Sequence, residues 1–81
     1  MSEIHVRVHF HAELTRYAPD QARQHFAALA PGSLVRDLLR QYPPLEAQRV
    51  VVGLNGVLAT PEAELHDGDR VDLLTPMAGG R

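Results

Sequence analysis

Residues 4–10 alternate between apolar and polar side chains without a break, as IHVRVHF. The apolar set is Ile4, Val6, Val8 and Phe10, and the polar set is His5, Arg7 and His9. A period of two predicts a β-strand that buries one face and exposes the other. Such a strand needs a second layer over its apolar face and tolerates water on its polar face.

Residues 33–42 supply that second layer as an amphipathic helix. Its apolar side chains follow helical spacing: Leu34, Val35, Leu38, Leu39 and Tyr42. Ser33 is the expected N-cap, because its hydroxyl can accept a hydrogen bond from a free backbone N–H. Pro43 and Pro44 are expected to end the helix, because the residue before a proline is displaced from helical conformation.

The second half of the chain reads as a hairpin and a final strand. Residues 50–54 are rich in β-branched side chains, and Asn55-Gly56 is the dipeptide that best supplies a tight hairpin turn. A short return strand begins at residues 57–58. After a turn at residues 67–69, the last strand contains Val71 and Leu73 and extends to Leu74 in one reading.

Two segments between the first strand and the helix are less regular. Residues 11–23 predict a loop that holds one short helical turn. Residues 24–30 are ambiguous: their composition favours helix, whereas their length before Pro31-Gly32 suits a strand. The whole pattern predicts an α+β domain in which one helix covers one face of a small sheet.

Composition excludes several classes of function. The formal net charge is −2, and the basic residues, all arginines, are scattered from Arg7 to Arg81, so we expect no nucleic-acid partner. Absence of cysteine removes disulfides, thiol nucleophiles and cysteine metal sites. The longest aliphatic run, residues 50–54, is too short to span a bilayer, so no membrane partner is expected. Without a signal-peptide pattern, the cytoplasm is the expected location.

Four segments follow one another at a distinctive spacing and end in a Gly-Gly pair: residues 33–39, 55–56, 67–71 and 76–80. Together they resemble the MoaD/ThiS family of ubiquitin-like sulfur carriers, and are more similar to its molybdopterin synthase small-subunit branch. The resemblance covers the chain from the first strand to the tail.

The resemblance implies a ubiquitin-like β-grasp fold, a small mixed sheet packed on one main helix. Residues 1–75 would form the β-grasp domain, and residues 76–81 a flexible C-terminal Gly-Gly tail with an extra Arg. In this fold the first and last strands lie side by side, and residues 24–30 become a strand that pairs with the first.

The resemblance also implies a chemistry for the tail. A MoeB/ThiF-like adenylyltransferase would use ATP and Mg²⁺ to convert the Gly80 carboxylate into an acyl-adenylate, and a persulfide sulfur donor would convert that into a thiocarboxylate. The tail would thread into the partner through Pro76, Met77, Ala78 and Gly79. The chain would then be a co-substrate that binds no cofactor or metal of its own, and not an enzyme. A synthase large subunit is a further partner on the molybdopterin branch.

Arg81 departs from the family pattern, which ends at Gly-Gly. Removal of Arg81 by a C-terminal processing protease would expose the Gly80 carboxylate. Two other functions stay open: a ubiquitin-like modifier conjugated to other proteins through Gly80, and a β-grasp binding module without sulfur chemistry.

Leu74 is a candidate docking residue for the activating partner. Side chains alternate along a strand, so Leu74 falls on the face opposite Val71 and Leu73. The alternative is that Leu74 turns inward where the strand ends.

Two clusters of polar residues each have a structural interpretation beside a functional one. His5, His9 and His11 share one strand face, but neighbouring positions on that face are roughly 7 Å apart, so a solvated polar face is expected rather than a zinc site. Asp67 and Asp69 frame Gly68, which favours a turn. With Asp72 they would alternatively form an acidic cluster that steers the tail.

Overall fold

A mixed five-stranded sheet organises the computed structural model, which describes residues 3–46 and 49–76. The sheet order is β2-β1-β5-β3-β4. The strands are β1 (Ile4–Phe10), β2 (Gln24–Leu29), β3 (Val51–Leu54), β4 (Val57–Ala59) and β5 (Arg70–Leu74). The α-helices are α1 (Val35–Leu39) and α2 (Pro43–Glu46), and 3-10 helices span Ala12–Tyr17 and Pro19–Gln21.

The first and last strands lie side by side in the interior of the sheet, and their pairing confirms the prediction. β1 and β5 are parallel, with Val8 opposite Val71 and Phe10 opposite Leu73. β2 is antiparallel to β1, which confirms that residues 24–30 contain a strand. The local preference for helix is outweighed here, because pairing with β1 as a strand buries Ala27 in the core.

The core lies on one side of the sheet only. Its buried apolar side chains come from β1, β2, β3, β5, the helices and the loops: among them are Val6, Val8, Leu14, Ala27, Val35, Leu38, Tyr42, Val52, Leu65, Val71 and Leu73. Tyr42 packs edge-on against Phe10 with ring centroids 5.1 Å apart, and its hydroxyl lies 2.8 Å from Nδ1 of His25. Burial raises the pKa of Tyr42 to about 12, so the hydroxyl stays protonated in this contact.

The start of α1 corrects the prediction for Ser33. The Ser33 hydroxyl donates to the carbonyl of Ala30 at 2.7 Å and does not cap the helix. The first helical N–H groups are satisfied by other backbone instead, with Val35 N–H donating to Ala63 O and Arg36 N–H donating to Pro61 O, both at 2.9 Å. Tertiary contact with the segment that precedes β5 therefore replaces the expected side-chain cap.

The predicted helix over residues 33–42 is also shorter than expected. α1 ends at Leu39, and a tighter turn follows in which Tyr42 N–H donates to Leu39 O. The two prolines do not end the helical region; they begin α2, because proline suits the first turn of a helix. Within residues 3–46 and 49–76 no helix is long and apolar enough to cross a membrane.

Both predicted turns of the second half are present. Asn55 and Gly56 have φ angles of 52° and 89°, which close the β3–β4 hairpin. Asn55 also holds the start of β5: its side-chain oxygen accepts from Arg70 N–H at 2.9 Å. Gly68, with φ of 87°, forms the turn that leads into β5.

Two leucine truncations test which side of the sheet carries the stability. Leu38→Ala removes a fully buried side chain and should lower the free energy of unfolding by about 2–5 kcal/mol. Leu58→Ala, at a position 76% exposed, should change it by no more than about 0.5 kcal/mol. Urea unfolding with unchanged m-values is the measurement, and equal losses in the two variants would contradict the one-sided core.

Candidate functional site

The sheet face that points away from α1 is the candidate functional surface, and we call it the open face. Strand alternation and register place on it the residues that alternate with the core side chains: His5, Arg7, His9, Gln24, Phe26, Ala28, Val51, Gly53, Leu58, Arg70, Asp72 and Leu74. Among the described residues, no helix forms a layer over it, since α1 and α2 contribute their buried side chains to the opposite side.

A pocket of about 260 Å³ lies on the open face above Gly53. Its lining consists of His11, Gly53, Gly56, Val57, Leu58, Asp72 and Leu74. Gly53 stands between Asp72 and Leu58 in the sheet, so its missing side chain leaves a depression between two strands. A Cβ atom at Gly53 would lie 3.6 Å from Cβ of Asp72, an ordinary contact, so the backbone does not require glycine there.

Leu74 lies where the sequence places it, on the face opposite Val71 and Leu73. It is half-buried and forms one wall of the pocket, rather than turning into the core. Val57 and Leu58, on the hairpin across the pocket, are 69% and 76% exposed. The docking role of Leu74 stays a prediction, and the apolar side chains that line the pocket with it are Val57 and Leu58.

Asp72 is the polar wall of the pocket. His11 Nε2 lies 2.8 Å from Asp72 Oδ1, and Arg70 Nη2 lies 3.1 Å from the same oxygen. Because an ionised carboxylate only accepts hydrogen bonds, both nitrogens donate. Burial alone would raise the pKa of Asp72, but the hydrogen bonds from Arg70 and His11 outweigh it and lower that pKa below 3.8.

His5 and His9 on β1 and His11, directly after it, have separate surroundings. His5 is exposed and lies 3.9 Å from a carboxylate oxygen of both Glu3 and Asp67, and His11 contacts Asp72. His9 Nε2 is buried and has no hydrogen-bond partner among the described residues. Burial lowers the pKa of His9 below 6.5, and the charges of Arg70 and Arg7 lower it further against the opposing effect of Asp72.

No group of three His, Cys, Asp or Glu side chains in the described part of the chain is arranged to hold a metal ion.

Asp67 and Asp69 stabilise the turn that leads into β5. Asp67 Oδ1 accepts from the N–H of His5, and Asp69 Oδ2 accepts from the N–H of His66, both at 2.8 Å. These contacts favour the turn interpretation over the acidic steering cluster.

The predicted tail residues fall mostly beyond the described structure. Pro76 is exposed and follows β5 after Thr75. Met77, Ala78, Gly79, Gly80 and Arg81 lie outside the described residues, and the roles expected for them stay predictions.

Sequence reasoning did not single out Gly53, Val57 or Leu58 as site residues. A glycine inside the aliphatic run 50–54 was a usable signal, because glycine in a strand often marks a close approach of another group. The register that sets Gly53 beside Asp72 and Leu58 could not be read from the chain.

Comparison with known proteins agrees with this architecture. The ThiS family model matches residues 8–80. No curated protein matches the sequence.

Solved structures share the fold. A protein from Pyrococcus furiosus assigned as molybdopterin converting factor subunit 1 has a TM-score of 0.78 and 22% identity over 91% of this chain and 99% of that one. Small archaeal modifier protein 1 from Haloferax volcanii has a TM-score of 0.76 and 20% identity over 91% and 99%. In the complex of subunits 1 and 2 of molybdopterin-converting factor from Helicobacter pylori, the matched chain has a TM-score of 0.57 and 24% identity over 95% and 100%. At these identities the matches establish the fold.

The lowered pKa of His9 predicts that acid destabilises the protein. As the pH falls below about 6.5, the unfolded chain binds a proton at this position before the folded chain does, so the folded state loses stability. His9→Gln removes this difference. Urea unfolding at about pH 7.5 and about pH 5.5 should therefore show a smaller loss of unfolding free energy on acidification in the variant. Equal losses in the variant and the unaltered chain would contradict the prediction.

Proposed function

Because the chain belongs to the ThiS family, we propose that it is a sulfur carrier whose reacting group is the carboxylate of Gly80. The observation that carries the proposal is the family match over residues 8–80, which ends at Gly80 and leaves out Arg81. Sulfur transfer into a molybdopterin-type cofactor is the function that best suits this chain, because two of the structural matches are molybdopterin converting factor subunits.

The proposed chemistry overcomes the low reactivity of a carboxylate. A Gly80 oxygen attacks the α-phosphorus of ATP in the active site of a MoeB/ThiF-like adenylyltransferase, and pyrophosphate leaves with Mg²⁺ assistance. The terminal sulfur of a persulfide donor then attacks the acyl carbon, and AMP leaves. A thiol reductant cleaves the resulting S–S bond, which leaves the thiocarboxylate on Gly80.

The fold supports a tail that reacts in the active site of a partner. β5 is paired on both sides, by β1 and β3, so the base of the tail is fixed at Leu74. Gly80 lies six residues further (80 − 74), and an extended segment of that length spans at most about 20 Å. A partner that binds the pocket beside Leu74 therefore has the tail within reach of a nearby nucleotide site.

Under this proposal the chain supplies the reacting group, and its partners supply catalysis. The exposed apolar residues around Gly53 would dock the adenylyltransferase and, in a synthase, a large subunit. A C-terminal protease would first cleave after Gly80, because Arg81 follows Gly80 in the sequence and a peptide bond to it leaves Gly80 without a free carboxylate.

A ubiquitin-like modifier is the second candidate, favoured by the structural match to a small archaeal modifier protein. It shares the acyl-adenylate and differs in the acceptor, which is an amine of another protein instead of sulfur. The chain contains no lysine, so it could not form lysine-linked chains of itself.

Mass spectrometry of a chain ending at Gly80 tests the carrier function. Incubated with a MoeB/ThiF-like adenylyltransferase, ATP, Mg²⁺ and sulfide, it should gain the mass that corresponds to replacing one oxygen by sulfur. The intact chain with Arg81 is the matched control and should keep its mass. Absence of the product from the Gly80-ending chain would refute the proposal. Adducts with other proteins in cell extract, with no thiocarboxylate formed, would favour the modifier.

Filling the pocket tests the docking role. Gly53→Ala adds one methyl group, whereas Gly53→Leu fills the space between Leu58 and Leu74. For the chain ending at Gly80, the KM in adenylation should rise about tenfold for Gly53→Leu and little for Gly53→Ala. The leucine side chain would occupy the space that an apolar group of the partner enters, so one apolar contact with the partner is lost. The kcat should hold, because the reacting group is unchanged. An unchanged KM for Gly53→Leu would exclude the pocket from docking.

A further inference from the structure

Two arginines stand opposite each other on the open face. Arg7 on β1 pairs in register with Arg70 on the parallel strand β5. Like charges at directly opposed positions destabilise a sheet, so folding alone does not favour this arrangement. Arg70 is neutralised by Asp72, with Nη2 at 3.1 Å from Oδ1. Arg7 forms no ion pair with any residue in the ranges 3–46 and 49–76.

The open face is positive, although the chain has a formal net charge of −2. Asp72 is the one carboxylate on the open-face positions of the described strands, and Arg70 and His11 already contact it. Glu3 and Asp67, near the start of β1, approach His5. The positive charge of Arg7 is therefore left for an external group.

An exposed aromatic ring lies beside this charge. Phe26 on the edge strand β2 is opposite Arg7 in the register and is 60% exposed. It lies across β1 and β5 from the Gly53 pocket, so it is separate from the apolar surface around Leu58 and Leu74. A protein that covers Phe26 would also remove water from Arg7, which strengthens pairing of the arginine with an anion.

With Arg70 neutralised by Asp72, the one remaining charge of Arg7 beside an aromatic ring suits a carboxylate better than a nucleic acid. Arginine binds a carboxylate in a bidentate geometry, whereas a phosphate backbone is bound by several cations along a stripe.

We propose that Arg7 and Phe26 form a second recognition surface, which binds an acidic segment of the activating adenylyltransferase. A carboxylate of that segment pairs with Arg7, and an apolar side chain next to it covers Phe26. This inference rests on the proposed function and adds the chemistry of the partner's surface. The adenylyltransferase would carry an acidic patch flanked by an apolar residue, next to its own group that enters the Gly53 pocket.

Charge variants of Arg7 test the inference in the adenylation assay, with pyrophosphate release as the readout. For the chain ending at Gly80, Arg7→Gln should raise the KM about two- to fivefold and Arg7→Glu about tenfold, with kcat retained. Arg7→Lys should keep most of the affinity, and Phe26→Ala should raise the KM about two- to fivefold. The KM of the unaltered chain should rise with added salt, and that of Arg7→Glu should rise less.

The matched control is Arg36→Glu, which makes the same charge change on α1, behind the sheet. It should leave the KM unchanged, and thermal unfolding should show that all variants fold. Equal KM values for Arg7→Glu and Arg36→Glu, with the unaltered chain active, would overturn the inference alone. No adenylation of the unaltered chain would refute the proposed function, and this inference with it. A single-stranded oligonucleotide is the last probe. If the unaltered chain binds it and Arg7→Glu does not, while the KM of Arg7→Glu in adenylation stays unchanged, the surface is assigned to nucleic acid and the inference is also overturned.

Discussion

The parallel pairing of β1 with β5 is the contact on which the rest of the molecule depends. It joins residues more than sixty positions apart and packs Val8 and Val71 together under α1. The same pairing sets Arg7 opposite Arg70 and brings His11 to Asp72. It also fixes the strand from which the tail leaves, so core packing, surface charge and the exit of the tail follow from one register.

A core on one side leaves the other side of the sheet available for binding. The open face divides into two parts, with β5 between them. Towards β4 it is apolar, with the pocket above Gly53, and towards β2 it carries Arg7 and Phe26. Asp72 lies between the two parts and is held by Arg70 and His11, so it adds little free negative charge to either.

In the proposed function, recognition and reaction are separated in space. The open face would bind the partner, and the glycines of the tail would bring a carboxylate to the nucleotide. Under the proposal, this separation lets a small domain enter an acyl-transfer reaction with its own carboxylate as the reacting group and without supplying a catalytic acid or base. It also allows one tail to serve a sulfur acceptor or an amine acceptor, with the partner deciding between them.

Local sequence signals were sufficient for much of the fold. Alternation defined β1, Asn55-Gly56 defined the hairpin, and the apolar stripe defined the buried side of the helical region. Such signals report on a few adjacent residues, and these elements are stable in the conformation that local preference favours. The β-grasp arrangement and the strand at residues 24–30 came from resemblance to a family, because local propensity there favoured helix.

Only the tertiary structure decided the details that depend on distant residues. Carbonyl groups of Pro61 and Ala63 satisfy the start of α1, so the expected cap at Ser33 is not needed. Strand register places Gly53 between Asp72 and Leu58 to form the pocket, and places Phe26 and Arg70 on either side of Arg7. The sequence by itself determined the strand at residues 4–10, the hairpin turn at Asn55-Gly56 and the apolar stripe of the helical region, because periodicity and turn preference are local properties. It did not determine which side chains meet across the sheet, because register is set by the packing of the whole chain.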